Sequence, residues 1–341
     1  MKKQTLRRFT ALSFLLMNRK VIKLSVIVSA LALLCLAPSS RVGATVPGDN
    51  GRIAFQADTG TGNQIYTVRP NGHDLRQITH VSVAAVAPEW SPDGRLIVFE
   101  HDSAVCASVA IMNADGSDLI DIVPPSANIC EGDPAFTPDG KRIVFEQFNV
   151  DTGVDAIWSM RLDGSHRRFI TSGTAGIQVT DPSVSPDGRT LSFVDFNATG
   201  LAFGLFTVDI DGGSLFQVVP FTFDVGTKQD WAPDGRRLVF TENANHPNPG
   251  DSANIATIRP DGTGLRHLTH YQGGEVNALV GSYSPDGRWI VFRLEDHGSF
   301  GLFKMHPDGS NLRPILGLSS FKPRLIAWGP RAEEDDDEDN Q

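Results

Sequence analysis

The sequence predicts an all-β protein, a six-bladed β-propeller. Two series of turns repeating on one beat carry that prediction, together with a half-unit at each end of the repeats. The first series is Ser91-Pro92-Asp93-Gly94, Thr137-Pro138-Asp139-Gly140, Ser185-Pro186-Asp187-Gly188, Ala232-Pro233-Asp234-Gly235 and Ser284-Pro285-Asp286-Gly287. The second is Asn71-Gly72, Asp115-Gly116, Asp163-Gly164, Asp211-Gly212, Asp261-Gly262 and Asp308-Gly309. A fixed spacing of this size marks a repeat architecture.

Residues 1–44 hold eight of the 30 bases and none of the 40 acids, with an apolar run over 24–37 and small residues at Gly43 and Ala44. That pattern reads as a secretory signal peptide, too short in its apolar part to span a bilayer. Met17 would begin a better-proportioned leader than Met1 does. Without the leader 22 bases face 40 acids, a formal charge of −18. So acidic a chain is poorly suited to nucleic acid or an anionic membrane surface.

The propeller is expected over residues 45–331. Within each unit a Pro-Asp-Gly turn is followed by a basic residue and an apolar run ending in Phe99, Phe145, Phe193, Phe240 or Phe292. Proline presets φ at the second turn position, glycine tolerates the fourth, and the leading hydroxyl can bond the backbone ahead. The apolar run reads as a buried strand. With the Asp-Gly turn, each unit becomes four strands, one blade.

The run 51–55 resembles the second strand of a unit whose first strand is missing. At the other end, 325–330 resembles a first strand with no successor. The two complete one another, so the C-terminal strand should join the N-terminal three and close the ring without exposed edges. Trp90, Phe136, Trp231, Tyr283 and Trp328, with Val184 as the exception, sit one residue before the turn and are expected to fill the space between blades. The final residues 332–341 form an acidic run expected to be disordered.

The repeated aromatic-x-Pro-Asp-Gly unit resembles the WD40-like repeat of TolB-type β-propellers, over about residues 51 to 330. That resemblance implies an exported protein-binding propeller. The chain is expected to be periplasmic or secreted, a monomer with no membrane span once the leader is removed. TolB proteins carry a further α/β domain, and only their propeller part is resembled here.

Strand alternation puts both turn series on one face and the longer loops on the other, where binding residues usually sit. Acids cluster on the loop side as Glu100, Glu146, Asp195, Glu242 and Glu295. A second group, Glu89, Asp133, Asp181 and Asp230, is expected just ahead of the inner strand. Together they suggest an acidic mouth that attracts a basic protein or peptide segment. The alternative is a set of solvated or turn-capping acids. Cys106 and Cys130 lie in loops on this same face and are expected to form a disulfide in an oxidising compartment.

Signals for an enzyme are thin, with no nucleophile elbow, His-Glu-x-x-His or phosphate loop. The rival reading is a metal-dependent, lyase-type propeller acting on an acidic polysaccharide, since His80, His101, His246, His270 and His297 fall near the loop face. Their spacing gives no tight ligand set, so no catalytic residue, metal or other cofactor is assigned. Asp209-Ile210-Asp211-Gly212 lacks the downstream glutamate of a calcium loop and is read as a turn.

Overall fold

The computed structural model describes residues 47–332, apart from 59, 61, 175–177, 198–201 and 245–249. Residues 1–46, which include the leader, and residues 333–341 of the acidic tail lie outside the described residues, as does His246. The described chain forms six antiparallel four-stranded sheets. The first blade holds β1 (Asn50–Asp58), β2 (Asn63–Val68) and β3 (Arg76–Gln77). The second runs β4 (Ala85–Trp90), β5 (Leu96–His101), β6 (Ser108–Asn113) and β7 (Ile120–Asp121). The third runs β8 (Ile129–Phe136), β9 (Arg142–Asn149), β10 (Val154–Arg161) and β11 (Arg168–Thr171). The fourth has β12 (Val179–Val184), β13 (Thr190–Asn197), β14 (Ala202–Asp209) and β15 (Phe216–Val219). The fifth has β16 (Gln229–Trp231), β17 (Leu238–Glu242), β18 (Asn254–Ile258) and β19 (Arg266–His267). The sixth has β20 (Val276–Tyr283), β21 (Ile290–Asp296), β22 (Ser299–Met305) and β23 (Arg313–Ser319).

The last strand, β24 (Arg324–Pro330), pairs with β1 as the inner strand of the first blade, which closes the ring as the sequence predicts. Trp328 Nε1 donates to Gly51 O at 3.2 Å across this seam. The seam is also tight, for a Cβ on Gly329 would stand 2.4 Å from the Trp90 ring of the second blade.

The repeated turn is a small hydrogen-bonded device. Ser91 Oγ donates to Asp93 Oδ1 at 2.6 Å and accepts from Leu96 N at 2.9 Å, while Arg95 N donates to the same Asp93 oxygen. Gly94, at φ 70°, supplies the left-handed step and donates to Ser91 O. The hydroxyl-to-aspartate bond recurs at Thr137, Ser185 and Ser284. At Ala232 there is no hydroxyl, and Asp234 keeps only its bond from Arg236 N among these.

The buried phenylalanines Phe55, Phe99, Phe145, Phe193, Phe240 and Phe292 occupy one position of the second strand in all six blades, each at 0 % exposure. Burying each removes an aromatic ring from water, a gain of about 2–3 kcal/mol. The residues before the turn, Trp90, Phe136, Val184, Trp231, Tyr283 and Trp328, are buried against neighbouring blades, as expected of core. Counting back from these phenylalanines shows one departure from the sequence pattern. Arg52 matches Arg142 and Arg237, not the exposed base that follows each turn glycine. All three donate Nε to a hydroxyl of the third strand, at Thr67, Ser159 and Thr257.

Among the described residues no helix is long and apolar enough to cross a membrane.

Candidate functional site

Five of the six inner strands carry a β-bulge, one extra residue opposite the second strand. Ala87, Asp133, Asp181 and Leu325 occupy it with φ between 44° and 51°, a conformation side chains rarely take. The bulge turns a backbone N–H away from its own sheet, and a buried N–H requires a partner.

The preceding blade supplies that partner. Ala87 N donates to Gln56 Oε1 at 2.9 Å, Asp133 N to Glu100 Oε2 at 3.4 Å, and Val280 N to Thr241 Oγ1 at 2.9 Å. Gln56, Glu100 and Thr241 all directly follow a buried phenylalanine. Elsewhere the inner strand itself provides the acceptor. Asp133 accepts from Asp181 N at 3.3 Å and from Thr180 Oγ1. Asp181 accepts from Gln229 N at 2.7 Å, and Asp230 from Tyr283 N and Ser282 Oγ at 2.8 and 2.9 Å. Carboxylates therefore fasten the second blade to the third, the third to the fourth, the fourth to the fifth and the fifth to the sixth.

The structure places Glu89, Asp133, Asp181 and Asp230 within β4, β8, β12 and β16, not ahead of them. Lys228 stands three residues before Trp231, the place that Asp133 and Asp181 hold relative to Phe136 and Val184. From the fifth blade its ammonium reaches Glu89 of the second, the blade opposite in a ring of six, and lies 3.5 Å from Asp181 Oδ1. The ammonium thus links opposite blades across the ring. Burial pushes the Glu89 carboxyl up and Asp181 up to about 7, with Lys228 opposing both shifts. Burial also disfavours the ammonium, but Asp181 and Glu89 outweigh it and hold Lys228 protonated.

The acids at the end of the second strand divide by register. Glu100 and Glu146 directly follow the buried phenylalanine, whereas Asp195, Glu242 and Glu295 lie further along. Strand side chains alternate, so these five do not form one ring. Asp195 is fully buried and caps Thr174, accepting from its N and Oγ1 at 2.7 Å. Glu242 meets His267 Nδ1 at 2.7 Å, and Glu295 meets Arg293 Nη2 at 2.7 Å and Lys322 Nζ at 3.4 Å.

Glu146 is engaged differently from Glu100. It shares a hydrogen bond with Asp155 of β10, with Asp133 and Glu100 close by. Burial pushes Glu146 well up, and Asp155, Asp133 and Glu100 push it further. Asp155 rises to about 7, again chiefly from burial. A carboxyl held at about 7 against a second one that is also pushed up shares a proton with it. Sequence reasoning passed over Lys228 and Asp155. Lys228 could have been found by aligning the inner strands on their buried aromatics.

Cys106 and Cys130 are bonded, with Cα atoms 4.7 Å apart, which ties the second blade's loop to the third blade's inner strand. The histidines are dispersed. His101 meets Asp121 at 2.7 Å, His297 lies between Asp296 and Glu275 at 2.5 and 2.7 Å, and His80 contacts Gln77. Among the described residues no three His, Cys, Asp or Glu side chains converge as a metal site.

A family model described as the TolB beta propeller domain matches residues 125–332. The chain is 32% identical over 93 residues to the Tol-Pal system protein TolB of Nitratidesulfovibrio vulgaris, covering 27% of this chain and 21% of that protein. It is 31% identical over 112 residues to the Tol-Pal system protein TolB of Anaeromyxobacter dehalogenans, covering 33% and 23%. The matched stretches thus span under a quarter of either relative. Among solved structures, TolB from Acinetobacter baumannii superposes with a TM-score of 0.66 at 20% identity, over 84% of this chain and 68% of that one. That likeness is one of fold.

Proposed function

The chain belongs to the TolB β-propeller domain family, and from that we propose an exported, non-catalytic scaffold that holds a protein or peptide partner at the loop-face mouth of its channel. Family membership supports the scaffold, and the curated relatives carry the name of the Tol-Pal system, which supports a protein as the partner. The Lys228–Glu89 contact carries the site assignment, because with Asp181 beside it the contact brings inner-strand groups of opposite blades together. Glu100, Asp133 and Glu146 give the mouth an acidic lining, and Asp155 lies buried against Glu146. A basic segment would gain by steering toward that field and by desolvation within it.

Of the acids read from the sequence, Asp195, Glu242 and Glu295 have local partners, and we assign them to the frame. Glu146, with the buried Asp155 against it, is the acid we assign to the partner.

The test is affinity capture from envelope extract with the mature chain, beside a copy carrying Asp133→Asn, Glu146→Gln and Asp155→Asn. The amide oxygen that Asp133→Asn leaves in place still accepts from Thr180, so the blades remain fastened while the charge is removed. A partner held by the wild type and released by the amide copy supports the reading. A partner held equally by both sinks the assignment of the mouth.

A further inference from the structure

A cleft of about 670 Å³ opens beside the Pro-Asp-Gly turns of the fourth and fifth blades. Pro186, Pro233 and Trp231 give it apolar walls, Asp187 and Asp234 are its acids, and Pro47 closes one side. Pro47 arrives there along a path held by hydrogen bonds. Asn50 Oδ1 accepts from Asp286 N at 3.2 Å, Gly48 N donates to Pro285 O at 3.4 Å, and Asp49 O accepts from Arg331 N at 2.8 Å. The lead-in therefore runs from the first blade past the turn of the sixth to the turns of the fifth and fourth.

Asp234 differs from its counterparts in the other turns. Asp93, Asp139, Asp187 and Asp286 each accept from a serine or threonine hydroxyl of their own turn. Ala232 offers none, and among the described residues Asp234 Oδ1 accepts only from Arg236 N at 2.9 Å. Arg236 Nε stands 3.9 Å from Oδ2, beyond hydrogen-bond reach, and the Asp234 side chain is 59 % exposed. The cleft thus presents an accessible carboxylate oxygen that no donor in the described chain takes up.

We propose that this cleft receives the chain's own mature N-terminus, with the α-ammonium of Thr45 set against the Asp234 carboxylate. This rests on the export proposed above, with the leader removed after Ala44. Thr45 and Val46 lie outside the described residues, and Thr45 is two positions from Pro47, a reach of about 7 Å. Cleavage turns the Thr45 amide into an amine that is charged at neutral pH, so the donor exists only in the processed chain. Val46, between the two, is apolar and suits the proline rings. Removing the leader thereby ties the lead-in of the first blade to the turn of the fifth, a tie the precursor lacks.

The experiment is N-terminal sequencing of the protein recovered from the envelope, followed by trace acetylation of its α-amino group across pH 6–10. Sequencing should begin at Thr45. At pH 7 the amine should react about threefold more slowly than in Asp234→Asn, which corresponds to a pKa raised by about half a pH unit. Asp139→Asn, at the same turn position in the third blade, should leave the rate unchanged. Equal rates in the wild type and Asp234→Asn would overturn the proposal and leave export standing. An equal rise in Asp139→Asn would trace the effect to the general field of the ring and overturn the contact. A protein beginning elsewhere than Thr45 would overturn the leader boundary and this proposal together.

Discussion

Lys228 and Glu89 meet across the axis of the ring from opposite blades, 139 residues apart in sequence. Asp181 stands beside them, so a single ammonium serves two partly buried carboxyls. Removing it would leave both without compensation. Lys228→Met should cost about 3 kcal/mol or more in urea denaturation, because breaking a buried pair strands the remaining charge. Adding Glu89→Gln to that variant should recover part of the loss. A Lys228→Met protein within about 1 kcal/mol of wild type would show that the contact is not structural.

The shared proton of Glu146 and Asp155 gives stability a pH dependence of definite sign. The Asp155 carboxyl is held at about 7 when folded, against an ordinary value of 3.8. Between those values the folded protein binds the proton and the unfolded chain does not. Stability therefore declines as pH rises through that window, by at most about 1.4 kcal/mol per pH unit for one group. Glu146→Gln puts an amide donor where the proton was. Its melting temperature should vary less between pH 5 and 8, and should exceed that of the wild type at pH 8. Some slope should persist, since Asp181 titrates in the same range. An unaltered slope would reject the shared proton.

Ala232 is the one first-turn position of the Pro-Asp-Gly series without a hydroxyl. Ala232→Ser should restore bonds to Asp234 and to the backbone of Arg237, and stabilise by about 1 kcal/mol. Ser91→Ala should lose a similar amount. Equal thermal stability in both variants and the wild type would mean that the proline and glycine alone set the turn.

Gly329 is required by close approach and not by its backbone angles. Any side chain there meets the Trp90 ring at 2.4 Å, whereas a Cβ on Gly317 meets nothing within 4 Å. Gly329→Ala should cost about 2 kcal/mol or more, and Gly317→Ala should be close to neutral. Comparable melting temperatures would show that Trp90 can yield.

What could be read from the sequence divides along a physical line. The blades follow from local chemistry, because a turn residue such as Gly94 and a strand residue such as Phe99 announce themselves within a few positions of each other. Ring closure was also legible, because each end carried half a unit. The roles of the acids were not. Asp133 and Asp195 look alike in sequence, yet one fastens a neighbouring bulge and the other caps the loop at Thr174. The role of Asp133 depends on a single inserted residue in the inner strand, and register is a property of the paired sheet. Asp155 was passed over because it lies within a third strand and gains its meaning only from Glu146 across the ladder.

The seam between β24 and β1 also bears on timing. Gly51 and Trp328 are 277 residues apart, so the first blade stays incomplete until the chain has been made as far as β24. Contacts so distant form late, after most of the chain's entropy has been lost, and they slow folding. Until then β1 presents a bare edge, and the nascent chain keeps its first blade open. For the exported scaffold proposed above, which would be threaded through a membrane before it folds, that delay is useful. A latch made last keeps the ring from closing on the wrong side.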